Sequence, residues 1–286
     1  MDEHAISLHD RGADQSSLLY PVVSRRSGGL SLGINLFPGG KRCNFDCPYC
    51  EVRPFEGKGE FSAENLEASL DEFFRDEYKN AWAQQPIRDL CFSGNGEPTL
   101  SANLWEALEI CAKARRKRSV SLGHTPIVII TNSTGFLDPD IAGRLKDFAR
   151  REPLTVWAKL DAGDQEGFAA MSRSGFLIEA LAEALAEFSR ETSVVVQTMI
   201  CGMRGIVPGD QEAITYASRI NSMLQVGASI EALHLYTLAR SPTEPWIEAL
   251  SNDSILRFMR IVSATLVQPL PVFGFGERGE RLSLKA

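Results

Sequence analysis

Apolar residues come along this chain in short continuous runs, separated by longer stretches in which they recur every three or four positions. Leu30, Leu32, Ile34, Leu36 and Phe37 form the first run, closed by Pro38-Gly39-Gly40, and Ile87 to Phe92, Ile127 to Ile130, Leu154 to Leu160, Val194 to Ile200 and Ile230 to Leu238 supply five more. Runs of this kind predict strands covered on both faces, as in a parallel sheet. The intervening stretches have the helical period. Leu66, Leu70, Phe73 and Phe74 follow a capping Ser62; Leu104, Leu108 and Cys111 follow a capping Ser101. Further helices are predicted from Pro139 to Arg150, along Leu177, Leu181, Leu185 and Phe188, from about Pro208 to near Gly227, and along Ile255, Phe258, Met259, Val262 and Leu266.

Six strand-then-helix units predict an α/β fold with parallel strands and right-handed crossovers. Six are too few for a full eight-stranded barrel, and an incomplete, open (β/α)6 TIM-like barrel fits the count; a flat doubly wound sheet is the alternative that spacing alone does not separate. Residues 1–28 are polar and irregular and read as an N-terminal arm, 29–268 as one core domain, and 269–286 as a C-terminal extension. No internal repeat or low-complexity tract interrupts this plan.

Composition narrows the function classes. The 286 residues are 44% hydrophobic, enough for a substantial core. Thirty basic against 37 acidic residues leave a net charge of -7, which gives no general attraction to a nucleic-acid backbone. The densest basic run, Lys113, Arg115, Arg116, Lys117 and Arg118, falls at the expected C-terminal end of a helix, where cations complement the macrodipole; a solvated helix end is preferred there over an RNA contact. No stretch approaches the roughly 18 apolar residues of a membrane span. Met1-Asp2-Glu3-His4 lacks the plan of a signal peptide, so a cytoplasmic protein with no membrane partner is expected.

The candidate chemistry starts at Cys43-Asn44-Phe45-Asp46-Cys47-Pro48-Tyr49-Cys50, three thiols spaced C-x3-C-x2-C. Cysteine thiolates are the usual ligands of iron-sulfur clusters, and three of them leave one iron of a four-iron cluster without a protein ligand. A structural zinc site would want a second Cys/His pair, which is missing, and Cys91, Cys111 and Cys201 are isolated in apolar or helical contexts rather than spaced as a disulfide framework. Their default reading is free buried cysteine. In a barrel of parallel strands the active site is built from loops at the carboxyl ends of the strands. The polar residues collect there: Cys43, Cys47 and Cys50 after the first strand, Gly94-Asn95-Gly96-Glu97 after the second, Asn132 after the third, Lys159 and Asp161 at the end of the fourth, Gln197 late in the fifth, and Tyr236 at the end of the sixth. The histidines are scattered, and His234, inside a strand, reads as a core residue.

The cysteine spacing, with Tyr49 just before the last thiol, resembles the signature of the radical S-adenosylmethionine (radical SAM) superfamily. The resemblance implies a 4Fe-4S cluster on Cys43, Cys47 and Cys50, with S-adenosylmethionine bound at the open iron. Gly96-Glu97-Pro98 resembles the segment that holds the cofactor's ammonium, for which acceptors and close backbone approach are suited. Tyr49 is expected near the adenine; Asn132, Lys159 and Asp161 are candidates for the methionine carboxylate and the ribose hydroxyls, and Gln197 and Tyr236 for further cofactor contacts. The implied reaction is reductive cleavage to a 5′-deoxyadenosyl radical that takes hydrogen from a substrate, fed by an electron donor such as a flavodoxin or ferredoxin. The substrate class, small molecule, RNA or protein, is left open. An activase that makes a glycyl radical on a partner protein and a cluster-binding electron-transfer protein are the alternatives.

Ser31-Leu32-Gly33-Ile34-Asn35, Ala158-Lys159-Leu160-Asp161-Ala162-Gly163-Asp164 and Tyr236-Thr237-Leu238-Ala239-Arg240 look like the branch related to tRNA-wyosine-synthesising enzymes. That branch carries a second cluster on upstream cysteines and a pyruvate-handling lysine, whereas no cysteine precedes Cys43 and no lysine precedes Lys41.

Overall fold

The computed structural model describes residues 16–24 and 26–284. The chain divides into two compact units assembled from separate stretches. The first takes the chain up to Cys43 with Pro54–Ile130 and Arg150–Thr155; the second takes Asn44–Arg53, Thr131–Ala149 and Val156–Ala286.

In the first unit, β1 (Leu19–Ser24) runs antiparallel to β2 (Gly29–Ile34), which is buried along its whole length. Strands β2, β3 (Ile87–Phe92) and β4 (Ile127–Thr131) follow one another in parallel register, as the continuous apolar runs predict. Helix α1 (Ala63–Glu72) starts where expected: the Ser62 side chain accepts the Asn65 N–H at 3.2 Å. It buries Leu66 and Leu70, each worth about 2 kcal/mol of transfer free energy. The helix then continues as a π-helical stretch over Phe73–Trp82, where the rings of Phe73, Phe74 and Tyr78 meet. Helix α2 (Leu104–Lys117) begins later than its predicted cap. Ser101 accepts the Asn103 N–H at 3.2 Å in a short turn, and Asn103 occupies the cap position. The basic run at the end of α2 is paired with acidic side chains: Lys113 with Glu67, Lys117 and Arg118 with Asp71, and Arg115 and Arg116 with the buried Glu152.

In the second unit, after α3 (Pro139–Ala149), β5 (Leu154–Lys159, whose first two residues belong to the first unit), β6 (Val194–Met199) and β8 (Ile230–Tyr236) are again parallel. Between them run α4 (Gln165–Ser172), α5 (Ile178–Ser189) and α6 (Asp210–Gln225). Helix α7 (Asn252–Thr265) packs on α6 and leads to β10 (Val272–Phe275), which lies parallel to β8 and is followed by the antiparallel β11 (Arg281–Leu282). A small ribbon joins β7 (Gly202–Met203) to β9 (Ile247–Glu248).

All six predicted parallel strands are present, and β1, β7, β9, β10 and β11 fall where the sequence reading expects no strand; the two longest of these, β1 and β10, each follow or contain proline. Leu19–Ser24 lies in the presumed irregular arm, whose residues 1–15 are outside the described residues. Pro21 obscures it, since proline removes a ladder donor and is tolerated only at a sheet edge. Val272–Phe275 lies in the presumed extension behind Pro269 and Pro271. Pro271 sits just before the strand, where its missing N–H costs nothing, and its carbonyl accepts the Leu233 N–H at 2.9 Å. No helix among the described residues is long and apolar enough to cross a membrane.

Candidate functional site

In the first unit, the segment that leads from β2 to Cys43 is locked to the glycine-rich turn after β3. The Asn95 side chain donates to the Phe37 carbonyl (3.1 Å), the Arg42 N–H donates to the Asn95 carbonyl (2.9 Å), and the Glu97 N–H donates to the Arg42 carbonyl (2.9 Å). Gly94 has φ +123, a conformation that side chains disfavour. A Cβ on Gly96 would stand 1.7 Å from the Arg42 carbonyl oxygen. These two glycines are therefore required by the backbone itself, one by conformation and one by close approach.

Glu97 is buried, and its Oε1 accepts both the backbone N–H (3.1 Å) and the hydroxyl (2.7 Å) of Thr99, capping the short 3-10 turn Pro98–Leu100. Glu97→Ala should accordingly lower the stability of the cofactor-free protein by about 1 kcal/mol, the value of a lost cap, as read by thermal unfolding. Glu97→Gln keeps an acceptor oxygen and should lose little. An equal loss in both would contradict the capping role.

The second unit holds the loop with Cys47 and Cys50. The Cys50 N–H donates to the Cys47 carbonyl (3.0 Å), closing a tight turn. The Asp46 N–H donates to the Ser172 carbonyl (2.9 Å), and the Cys50 carbonyl accepts the Thr243 N–H (2.8 Å). Upstream, the Asn44 side chain donates to Thr134 Oγ1 (2.9 Å) and accepts from Asn132 Nδ2 (2.6 Å), while Asn132 Oδ1 accepts the Thr134 N–H and hydroxyl. Asn132 thus clamps the cysteine loop through Asn44. None of the six cysteines, all of them described residues, is in a disulfide; Cys43 is exposed and Cys47 and Cys50 half-buried, whereas Cys91, Cys111 and Cys201 are buried as expected.

Tyr49, Lys159, Asp161 and Tyr236 come together beside that turn. The Tyr49 ring packs with Met171, Met199, Cys201, Leu238 and Ile247, and Cys47 lies against the same cluster. Its hydroxyl donates to Asp161 Oδ2, while Asp161 Oδ1 accepts the Met199 N–H at 2.8 Å. Lys159 Nζ is 3.4 Å from Asp161 Oδ2, 2.6 Å from the Tyr236 hydroxyl and 4.6 Å from the Tyr49 ring centroid. The side chains of Lys159 and Asp161 are only 15% and 7% exposed. Burial alone would depress Lys159, but the Asp161 charge and then Tyr236 and Cys47 outweigh it and hold its pKa above the ordinary lysine value. Burial, followed by the Asp161 charge, raises the Tyr49 phenol well above its usual range. The same two causes, partly opposed by Lys159, push the Cys201 thiol up to about 12. At neutral pH Lys159 is therefore an ammonium and Tyr49 a neutral phenol.

Gln197 is fully buried, opposite Lys159 on β5 and His234 on β8, and its carbonyl accepts the Leu160 N–H at 3.0 Å. His234 packs among the rings of Trp157, Phe273 and Phe275, as a core histidine does. Sequence reasoning missed Asn44, Thr134 and Thr243. Asn44 is adjacent to Cys43, a local signal that was there to use; Thr134 and Thr243 carry none, because their partners are distant along the chain.

Similarity to known proteins bears on what this arrangement is. A UPF0026 protein of Methanocaldococcus jannaschii is 27% identical over 250 residues, covering 84% of this chain and 69% of the relative. A UPF0026 protein of Helicobacter pylori is 28% identical over 240 residues, covering 83% of this chain and 70% of the relative. Among solved structures, a radical SAM methyltransferase from Sphaerobacter thermophilus superposes with a TM-score of 0.61 at 18% identity over 86% of this chain, which spans 66% of that structure's chain. That likeness bears out the α/β class of parallel strands alternating with helices. The model of the Radical SAM superfamily matches residues 37–217, which include the cysteine loop, the glycine-rich turn, Asn132 and the Lys159–Asp161 pair, and this chain is an enzyme of that superfamily.

Proposed function

We propose that the protein binds a 4Fe-4S cluster through Cys43, Cys47 and Cys50, binds S-adenosylmethionine beside it, and uses the two to abstract hydrogen from a substrate. The observation that carries this reading is the loop of three thiols outside any disulfide, one exposed and two half-buried, at C-x3-C-x2-C spacing within residues 37–217. Among the described residues no three His, Cys, Asp or Glu side chains are gathered as around a single ion, so the fit rests on the chemistry of the donors. Bound there, the reduced cluster and S-adenosylmethionine would supply methionine and a 5′-deoxyadenosyl radical, which becomes 5′-deoxyadenosine on taking a hydrogen atom.

The chain's own residues hold and orient. Asn132 and Asn44 set the start of the loop, and the Thr243 N–H sets its end. Gly94, Asn95 and Gly96 present backbone at close approach, and Glu97 adds a carboxylate for the cofactor's ammonium beyond its tie to Thr99. Tyr49, Lys159, Asp161 and Tyr236 form the polar wall suited to the adenosyl and carboxylate groups, with Gln197 behind it. An electron donor such as a flavodoxin or ferredoxin supplies the electron, in the cytoplasm.

The test is anaerobic reconstitution with iron and sulfide, reduction with dithionite, addition of S-adenosylmethionine, and chromatography for 5′-deoxyadenosine. Wild type should acquire the cluster and form the product slowly without substrate. The Cys43→Ala, Cys47→Ala, Cys50→Ala triple variant should do neither. Failure of the folded wild-type protein to take up a cluster would sink the proposal. A cluster that never yields 5′-deoxyadenosine would favour the electron-transfer alternative.

A further inference from the structure

The turn that carries Cys47 and Cys50 has a carboxylate immediately on either side, Asp46 before it and Glu51 after it. Within the second unit each is met by an arginine. Arg240 is ion-paired with Glu51, and Arg173 Nη1 lies 3.3 Å from Asp46 and 2.7 Å from Glu244. Arg240 is held in place by its own segment. Three residues on, Thr243 donates its N–H to the Cys50 carbonyl at 2.8 Å and its hydroxyl to the Pro48 carbonyl at 3.4 Å. The pair therefore sits on a backbone tied to the cysteine turn.

Stability does not account for it. Arg240 and Glu51 are 31% and 32% exposed, and ion pairs of that kind contribute at most about 1 kcal/mol. Their place in the chain matters more. A four-iron core held by three thiolates is anionic, and reduction adds one more negative charge. An uncompensated carboxylate one residue from Cys50 would oppose that electron, and cluster potentials respond to local charge and solvent exposure.

We propose that Arg240 is a positioning residue that compensates the Glu51 charge beside Cys50 and so raises the reduction potential of the cluster. This rests on the cluster reading above. The pairing acts on the electron-accepting step rather than on substrate, so it is measurable without turnover.

The experiment compares wild type, Arg240→Gln, Glu51→Gln and the double variant, each reconstituted and titrated at one pH and ionic strength by the visible absorption and electron paramagnetic resonance of the cluster. Arg240→Gln should retain the cluster but show at least a threefold lower reduced-to-oxidised ratio at a fixed potential, a downward shift of about 28 mV for a one-electron couple. Glu51→Gln should move the other way, and the double variant should return close to wild type. A merely structural tie would lower cluster content or melting temperature without shifts of opposite sign. An unchanged potential in Arg240→Gln, or single variants that shift in the same direction, would overturn the inference while leaving the cluster reading intact. If wild type takes up no cluster, both fall.

Discussion

Asp161→Ala is expected to lower the unfolding free energy by about 3–5 kcal/mol at neutral pH, the cost of leaving a buried charge without its partner. Asp161 takes the Tyr49 hydroxyl, the Met199 N–H and the Lys159 ammonium at once, in a setting where little water can substitute. The pH dependence identifies the cause. In the wild type the folded pKa of Lys159 lies above its unfolded value of about 10.4, so its contribution is complete below that pH and is lost as pH rises through the folded value. Tyr49, also raised, acts in the same direction: its neutral form is favoured in the fold, and that stabilisation too disappears at strongly alkaline pH. Without Asp161 the burial of Lys159 is no longer opposed by the largest of the raising charges, and its folded pKa should drop below the unfolded one. The variant then gains stability with pH as the lysine loses its proton. Urea unfolding at pH 7 and pH 9.5 should show the deficit shrinking. A loss under about 1 kcal/mol at pH 7 would contradict the buried-pair account, and a deficit that widens with pH would reverse its sign.

Gly96→Ala should cost about 3 kcal/mol and disturb Cys43 with it. The added Cβ meets a backbone carbonyl, Arg42 O at 1.7 Å, and the Phe37 ring at 3.0 Å, so no rotamer change relieves it. The bridge that pairs Arg42 with Gly96 must open, and Arg42 is joined directly to Cys43. Gly33 makes the useful contrast. A Cβ there meets atoms of the Tyr20 ring from 2.2 Å, a side chain that can swing at the expense of its 2.7 Å bond to Ser93. Circular dichroism melts of both variants should rank Gly96→Ala as the more damaging, with lower iron content after reconstitution. Equal melts would mean that the Arg42 carbonyl yields easily, contrary to the doubly bonded ladder around it.

Local signals read well where burial and covalent spacing were enough. The six apolar runs became parallel strands because a strand covered on both faces needs apolar residues at nearly every position, and that need is written in consecutive residues. Ser62 capped its helix because capping spans only three residues. Ser101 did not, since Ser101 and Asn103 compete for one helix start and the winner depends on how the 3-10 turn before them is packed. The strands at Leu19 and Val272 escaped because proline's cost depends on whether a neighbour needs the missing N–H, which no local pattern reports.

The candidate site divides in the same way. By itself the sequence determined the three-thiol loop, the glycines beside it and the order of polar residues at strand ends, because ligand spacing and turn chemistry are short-range. Only the tertiary structure decided what each polar group meets. Asn132 bonds Asn44, 88 positions away, and Arg240 pairs with Glu51 across 189. Lys159 and Asp161, two residues apart, were legible as a pair, but not as a buried pair bracketed by Tyr49 and Tyr236, 112 positions from Asp161 and 77 from Lys159. Side-chain partners are chosen by whichever groups the folded backbone brings into a dry space together, and that choice rests on contacts between segments that share no local pattern.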